Sequence, residues 1–211
     1  MKKIMMAFAI AAVWITVAPT SVLADQPNTA KAYDNLRKEM DHIAKDTAKY
    51  NSSLKGTMQS LSKLNTASAK NLKKSVKSFQ KDVDGLNKAL KNATDGIKSL
   101  REKRTKYLAD WDRSIATISD PDLKKASEER RKTVTASHEK LTKQATELRE
   151  KIDGFMKELS DLQTFLGSDP TTGAVSTAKP TIDKVLTDGN SLSSEVQGVT
   201  DKLTAFAKGA S

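Results

Sequence analysis

Apolar residues recur along this chain at alternating steps of three and four, the spacing that places side chains on one face of an α-helix. Four such runs follow one another, separated by short polar segments. No segment alternates with a period of two over the length of a strand, so the pattern predicts an all-α protein. The first run consists of Tyr33, Leu36, Met40, Ile43, Thr47, Tyr50, Leu54, Thr57, Leu61 and Leu64.

Interruptions in these runs predict where each helix begins and ends. The predicted helices cover about 29–64, 71–118, 121–166 and 170–208. After Leu64 the phase slips by one position, and Leu72 carries the next apolar anchor, which favours a turn at 65–71 with Asn71 as the N-cap. The alternative is one uninterrupted helix through residues 30–118.

A structural corner is predicted between the second and third helices. Tyr107 and Trp111 belong to the second apolar run and should pack at the end of its helix. Asp120 suits an N-cap, and Pro121 suits the first helical position, where a missing N–H costs nothing. The third apolar run then starts at Leu123.

Two further residues bear on helix ends. Gly167 follows the third apolar run and is expected to be a C′ residue with positive φ. Pro180 lies inside the fourth run, so that helix should either kink there or begin near it. Because the connectors are short, neighbouring helices should be antiparallel, and the expected fold is an elongated up-down-up-down four-helix antiparallel bundle or coiled coil.

The first 24 residues have the features of a cleaved signal peptide. Two lysines precede an apolar stretch, and Val22 and Ala24 occupy the −3 and −1 positions of a cleavage site after Ala24. The chain has no cysteine, which excludes disulfides and an acylated N-terminal cysteine. We therefore expect 25–211 to be a single helical-bundle domain, periplasmic or secreted, and not a lipoprotein.

The formal net charge is +10, and lysines dominate one part of the chain. No acidic residue lies between Asp46 and Asp82, and this block could attract anionic lipid or an envelope polymer. The alternative is a solvated face that keeps the protein soluble, and export argues against a nucleic-acid partner. The candidate anion-binding residues are Lys49, Lys55, Lys63, Lys70, Lys73, Lys74, Lys77 and Lys81.

The sequence carries no convincing catalytic or metal-binding motif. The two histidines, His42 and His138, fall on different predicted helices. Glu39 and His42 form one Glu-x-x-His half of a di-iron motif, but Thr135 occupies the position that a second half would need. We therefore predict no catalytic residue, no metal site and no cofactor, and we do not expect an enzyme.

Two stretches, "WDRSIATISDPDLKKASEERR" and "LREKIDGFMKELSDLQTFLG", resemble a bacterial family of exported, all-helical coiled-coil proteins of unknown function. The resemblance extends over about 30–208 and implies no catalytic residues. This chain departs from the family's glutamate-rich, often lipid-anchored members in being lysine-rich and lacking cysteine. The matching residues are Trp111, Asp112, Ser119, Leu123, Lys124, Ser127, Glu128, Phe165 and Leu166.

These features favour a non-enzymatic helical scaffold or interaction protein of the cell envelope, with a protein partner or self-association. One alternative is a periplasmic holdase for unfolded envelope proteins, suggested by export, basicity and long helices. Another is peripheral binding to anionic lipid through the basic 49–81 stretch.

Overall fold

The computed structural model describes residues 27–208 and, within them, the side chains of residues 31–133, 135–136, 146–205 and 207–208. Its elements are α1 (Pro27–Leu64), α2 (Ala69–Ala116), α3 (Pro121–Ser168) and α4 (Thr172–Ala207). The all-α prediction is confirmed, and residues 27–208 contain no strand. None of these helices carries an apolar stretch able to cross a bilayer. The predicted signal peptide and its cleavage after Ala24 lie outside the described residues.

The chain turns between α1 and α2, as the phase slip after Leu64 predicted, so the alternative of one uninterrupted helix through residues 30–118 is wrong. The carbonyl of Ser68 accepts hydrogen bonds from the backbone N–H groups of Asn71 and Leu72, both at 2.9 Å. Asn71 therefore lies inside the first turn of α2 and is not its N-cap. Ser68 holds that turn through its backbone carbonyl.

The start of α3 is defined by Asp120 and Pro121. Pro121 is the first helical residue. The Oδ1 atom of Asp120 accepts hydrogen bonds from the N–H groups of Asp122 and Leu123, at 2.9 and 3.0 Å. Asp120 thus satisfies two of the backbone donors that a helix start leaves without helical partners.

Leu123 is not in the core, contrary to its place in the third apolar run. Its side chain is 49% exposed. A contact between α3 and α2 comes one turn later, where the ring N–H of Trp111 donates to Ser127 Oγ at 3.3 Å. Leu123 lies before that contact, so α2 does not cover it.

Gly167 differs from its predicted role, and one of the two alternatives for Pro180 is excluded. Gly167 lies within α3, which continues to Ser168. Gly167 has no positive φ, and the nearest atom to a Cβ built there would be the terminal amide nitrogen of the flexible Gln80 side chain. A start of α4 near Pro180 is also wrong, because the helix begins at Thr172 and includes the proline.

Contacts divide the chain into two compact units. Unit 1 contains the described residues up to Lys45, Thr94–Glu147 and the residues from Val199 onward. Unit 2 contains Asp46–Ala93 and Leu148–Gly198. Each unit therefore includes segments of all four helices.

In unit 1, α1 and α2 contact each other in opposite chain directions. The rings of Tyr33 and Tyr107 lie 6.2 Å apart, and Glu39, further along α1, pairs with Lys103, which is earlier in α2. The apolar core is therefore built between antiparallel segments. Its buried side chains include Leu36, Met40, Ile43, Ile97, Leu100, Tyr107, Trp111, Ile115 and Leu203.

In unit 2, a buried polar network joins α1 to α4. Ser193 Oγ donates to Asn51 Oδ1 at 2.7 Å, and Asn51 Nδ2 donates to Gln197 Oε1 at 3.0 Å. These bonds satisfy polar groups that would otherwise be costly to bury. The apolar core around them includes Leu54, Leu61, Leu72, Phe79, Leu86, Ile152, Leu159, Leu166, Ile182 and Val185.

Candidate anion-binding surface

All eight lysines of the predicted basic stretch are exposed, and all lie in unit 2. They are divided between two helices, because the turn after Leu64 interrupts the stretch. The lysines on α1 are Lys49, Lys55 and Lys63. The lysines on α2 are Lys70, Lys73, Lys74, Lys77 and Lys81.

On α2, lysines form a row along one face of the helix. At about 100° of rotation per residue, five of them fall within a strip about 60° wide and about 27 Å long. The buried apolar residues of α2, such as Phe79 and Val83, lie about half a turn away. We call this strip the lysine row, and its members are Lys70, Lys74, Lys77, Lys81 and Lys88.

The lysines of α1 are not aligned in the same way. Lys49, Lys55 and Lys63 are spread over about 120° of the helix surface. Lys49 Nζ also lies 3.2 Å from Asp46 Oδ1, so part of its charge is compensated. The structure therefore makes a continuous row only from the α2 lysines.

The sequence prediction missed Lys88, the last member of the row, and Lys91 at its edge. The predicted stretch was defined as a run without acids, and Asp82 and Asp84 ended it. Helical rotation was the signal that could have found Lys88, because a position eighteen residues after Lys70 returns to the same face.

Charge is distributed unevenly within unit 2. Residues 46–93 contain ten lysines and three aspartates, whereas 148–198 contain five basic and eight acidic residues. Within the part of the chain that the structure describes, none of the five row lysines lies in an ion pair. Asp84 lies beside the row and accepts a hydrogen bond from Gln163 Nε2 at 3.2 Å. The row therefore carries a net positive charge, which Asp84 reduces only between Lys81 and Lys88.

The acids on α3 and α4 of unit 2 are, in contrast, largely engaged. Lys184 Nζ lies 2.5 Å from Glu158 and 2.9 Å from Asp188, and these hydrogen bonds raise the pKa of Lys184. Lys151 pairs with Glu195 at 2.8 Å. These residues line an open groove of about 370 Å³, so its charged side chains mostly face one another.

Glu39 of the Glu-x-x-His half-motif forms an ion pair with Lys103. Burial favours the neutral form of Glu39, but hydrogen bonds to Lys103 and Ser99 outweigh it and lower the Glu39 pKa. His42 is exposed, and the side chain of His138 lies outside the described residues. No group of three or more His, Cys, Asp or Glu residues among the described ones is placed to hold a metal ion.

The corner residues form a packed contact in unit 1. The rings of Tyr107 and Trp111 lie 6.0 Å apart, and Trp111 is 4% exposed. Burial, helped by the neighbouring Tyr33, raises the pKa of Tyr107 to about 12. Asp112 accepts two hydrogen bonds from Arg131, at 2.9 and 3.1 Å, beside the Trp111–Ser127 bond. The Trp111 ring is thus occupied by packing.

The family model described as "Protein of unknown function (DUF2959)" matches residues 31–209. The chain belongs to DUF2959. No curated protein and no solved structure matches it. The predicted resemblance to a family of unknown function is confirmed at this level. In this DUF2959 chain, three of the residues that carried the resemblance, Trp111, Asp112 and Ser127, meet at the corner between α2 and α3.

Proposed function

We propose that this DUF2959 protein is a non-enzymatic interaction protein of the cell envelope that binds an anionic partner through the lysine row. The observation that carries the proposal is the alignment of five exposed, unpaired lysines on one face of α2. Such an array attracts anions over a distance and binds them without chemical change. It requires neither a cofactor nor a metal.

The proposal includes the fold and location that the sequence predicts. Residues 1–24 would be removed as a signal peptide, and 25–211 would form an exported four-helix, up-down-up-down bundle without a lipid anchor. Support for the bundle comes from helix pairs that contact in opposite directions. In unit 2, for example, α3 residues Lys151 and Glu158 pair with α4 residues Glu195 and Lys184, respectively.

The polar contacts within the units support an interaction role over catalysis. The Ser193–Asn51–Gln197 network joins helices, and its Asn51 and Ser193 side chains are buried. The Arg131–Asp112 pair likewise fixes one helix against another. Each of these groups is used to hold the fold, which is the arrangement expected of a rigid support for a binding surface.

Chemical crosslinking in intact cells, followed by purification of this protein and identification of what is attached, tests the proposal. We expect an envelope component on the protein and a mature chain that begins at Asp25. Recovery in the cytosol with residues 1–24 retained would contradict export. The absence of any crosslinked component would contradict the interaction role. A holdase would instead suppress aggregation of an unfolded β-barrel protein at stoichiometric amounts.

A further inference from the structure

We propose that the partner of the lysine row is a linear acidic polysaccharide that lies along α2. Its anionic groups repeat along an unbranched chain. This inference rests on the proposed function and specifies its ligand class. It is carried by the spacing of the row, by its surroundings and by the pairing of the acids elsewhere in unit 2.

The spacing of the row fits a repeating ligand. Steps of four, three, four and seven residues separate Lys70, Lys74, Lys77, Lys81 and Lys88. At about 1.5 Å per residue, the first three steps advance by about 4.5–6 Å each, and the last by about 10.5 Å. A polymer with one anionic group per about 5–6 Å could therefore contact several ammonium groups at once. A single small anion would reach only one or two, and it would lack the gain from multiple contacts.

A membrane surface fits the row less well. Peripheral helices normally add apolar insertion to charge attraction. Among the described side chains, the large exposed apolar ones are Leu123 and Phe165, and both lie on α3. The row itself has none beside it, so a bilayer would gain only the electrostatic part of the binding energy.

A second copy of the chain also fits less well. Its acidic helices would have to supply carboxylates to the row, yet Glu158, Asp188 and Glu195 already form ion pairs with Lys184 and Lys151. Binding the row through these three carboxylates would require their pairs to break. An acidic polysaccharide brings carboxylates that carry no such cost.

The test measures binding of residues 25–211 to fluorescently labelled long-chain polyphosphate and to a labelled linear polyuronate, by anisotropy, at about 50 and about 200 mM salt. The row variant removes four charges from α2. The matched control removes four charges from exposed lysines of unit 1. The row variant is Lys70→Gln, Lys74→Gln, Lys77→Gln and Lys81→Gln. The control variant is Lys31→Gln, Lys38→Gln, Lys98→Gln and Lys125→Gln.

We expect the wild-type chain to bind the polyuronate, and the polyphosphate serves as the comparison with a phosphate polymer. The row variant should bind at least about 10-fold more weakly and depend less steeply on salt, whereas the control should change by less than about 3-fold. Replacing the same four row lysines by arginine keeps the charge and should retain binding. Circular dichroism shows whether each variant keeps its helices. If the glutamine variant loses its helices, the arginine variant keeps the test decisive.

Four outcomes would overturn the inference. Equal losses in the row and control variants would mean that net charge, and not the row, binds the polymer. Binding to phosphatidylglycerol vesicles without polymer binding would identify a membrane. Self-association at low salt that the row variant abolishes, without polymer binding, would identify a second copy. If the polyuronate does not bind, whether or not polyphosphate does, while crosslinking in cells still captures a partner, only the polysaccharide inference fails and the interaction role stands.

Discussion

Replacing Gly189 by alanine is expected to destabilise the protein, whereas the same replacement at Gly198 should stabilise it. Both glycines lie in α4 and in unit 2. A Cβ at Gly189 would overlap Met58 Sδ and lie 3.0 Å from Met58 Cγ and 3.1 Å from Phe155 Cε2. A Cβ at Gly198 would meet no heavy atom within 4 Å. The pair therefore isolates the close approach of helices at one position.

The magnitude follows from two opposing effects. Alanine in place of glycine within a helix stabilises by about 0.5–1 kcal/mol, because the unfolded chain has less backbone freedom to lose. Overpacking of a core costs about 1–3 kcal/mol. Gly198→Ala should thus gain about 0.5–1 kcal/mol, and Gly189→Ala should lose up to about 2 kcal/mol. The difference between the two variants gives the overpacking cost alone.

Urea unfolding followed by far-UV circular dichroism measures both free energies of unfolding. In a Met58→Ala background, the substitution at Gly189 should cost less, because the overlapping sulfur is absent. Phe155 remains in place and should leave a residual cost. Equal stabilisation of both single variants, within about 0.5 kcal/mol, would refute the close packing of α4 against Met58.

Three further predictions concern unit 1 and the start of α3. Trp111→Ala should reduce the free energy of unfolding by about 3–5 kcal/mol in urea, because the ring is buried. Asp120→Ala should cost about 1 kcal/mol in the same assay, because two backbone N–H groups lose their acceptor. For Tyr107, the folded pKa of about 12 lies above the ordinary value, so the folded state retains a proton that the unfolded chain releases. The stabilisation from the protonated Tyr107 hydroxyl is therefore complete below pH about 10 and is lost as the pH rises towards 12. In urea unfolding series from pH 8 to 11.5, Tyr107→Phe should reduce this loss of stability by up to about 2 kcal/mol.

Each of these three predictions would be contradicted by a specific result. A loss below about 1 kcal/mol for Trp111→Ala would mean that the ring is accessible to a ligand. An unchanged stability for Asp120→Ala would mean that the carboxylate does not cap α3. Parallel pH dependences for the wild-type chain and Tyr107→Phe would mean that the hydroxyl ionises as easily in the folded state as in the unfolded one.

The positions of the α1 core could be predicted because burial of one helical face determines them. Of the ten residues in the first apolar run, nine are buried and Tyr33 is half-buried. The run even included two threonines, Thr47 and Thr57. Thr57 is accommodated because its hydroxyl donates to the carbonyl of Ser53 at 2.9 Å and lies 3.2 Å from the carbonyl of Asp82. A threonine can therefore occupy an apolar position without an unsatisfied hydroxyl.

The roles of Leu123 and Gly167 could not be predicted, because they depend on a neighbouring helix and not on local pattern. Nothing in the sequence shows that Leu123 is left half-exposed in the structure. Likewise, a glycine next to a polar segment indicates a helix end, whereas α3 continues to Ser168 and places Gly167 beside the side chain of Gln80. At both positions tertiary contacts, and not local sequence preference, determine the structure.

The candidate site was predictable in composition but not in shape. The charge pattern along the chain indicates the basic stretch. However, that stretch groups Lys49, Lys55 and Lys63 on α1 with lysines of α2 with which they do not align. The same pattern omitted Lys88. Once α2 is known to be continuous past Asp84, its rotation determines which lysines share a face.

The most direct test of the central claim is fractionation of cells that express either the wild-type chain or the row variant. We expect the wild-type protein to stay with the envelope at low salt and to be released by a high-salt wash, because screening weakens exposed charge interactions. The row variant should appear in the soluble fraction without the wash, whereas the unit 1 control variant should behave like the wild type. Identical retention of the row variant and the wild-type protein would contradict the claim that the lysine row binds the partner.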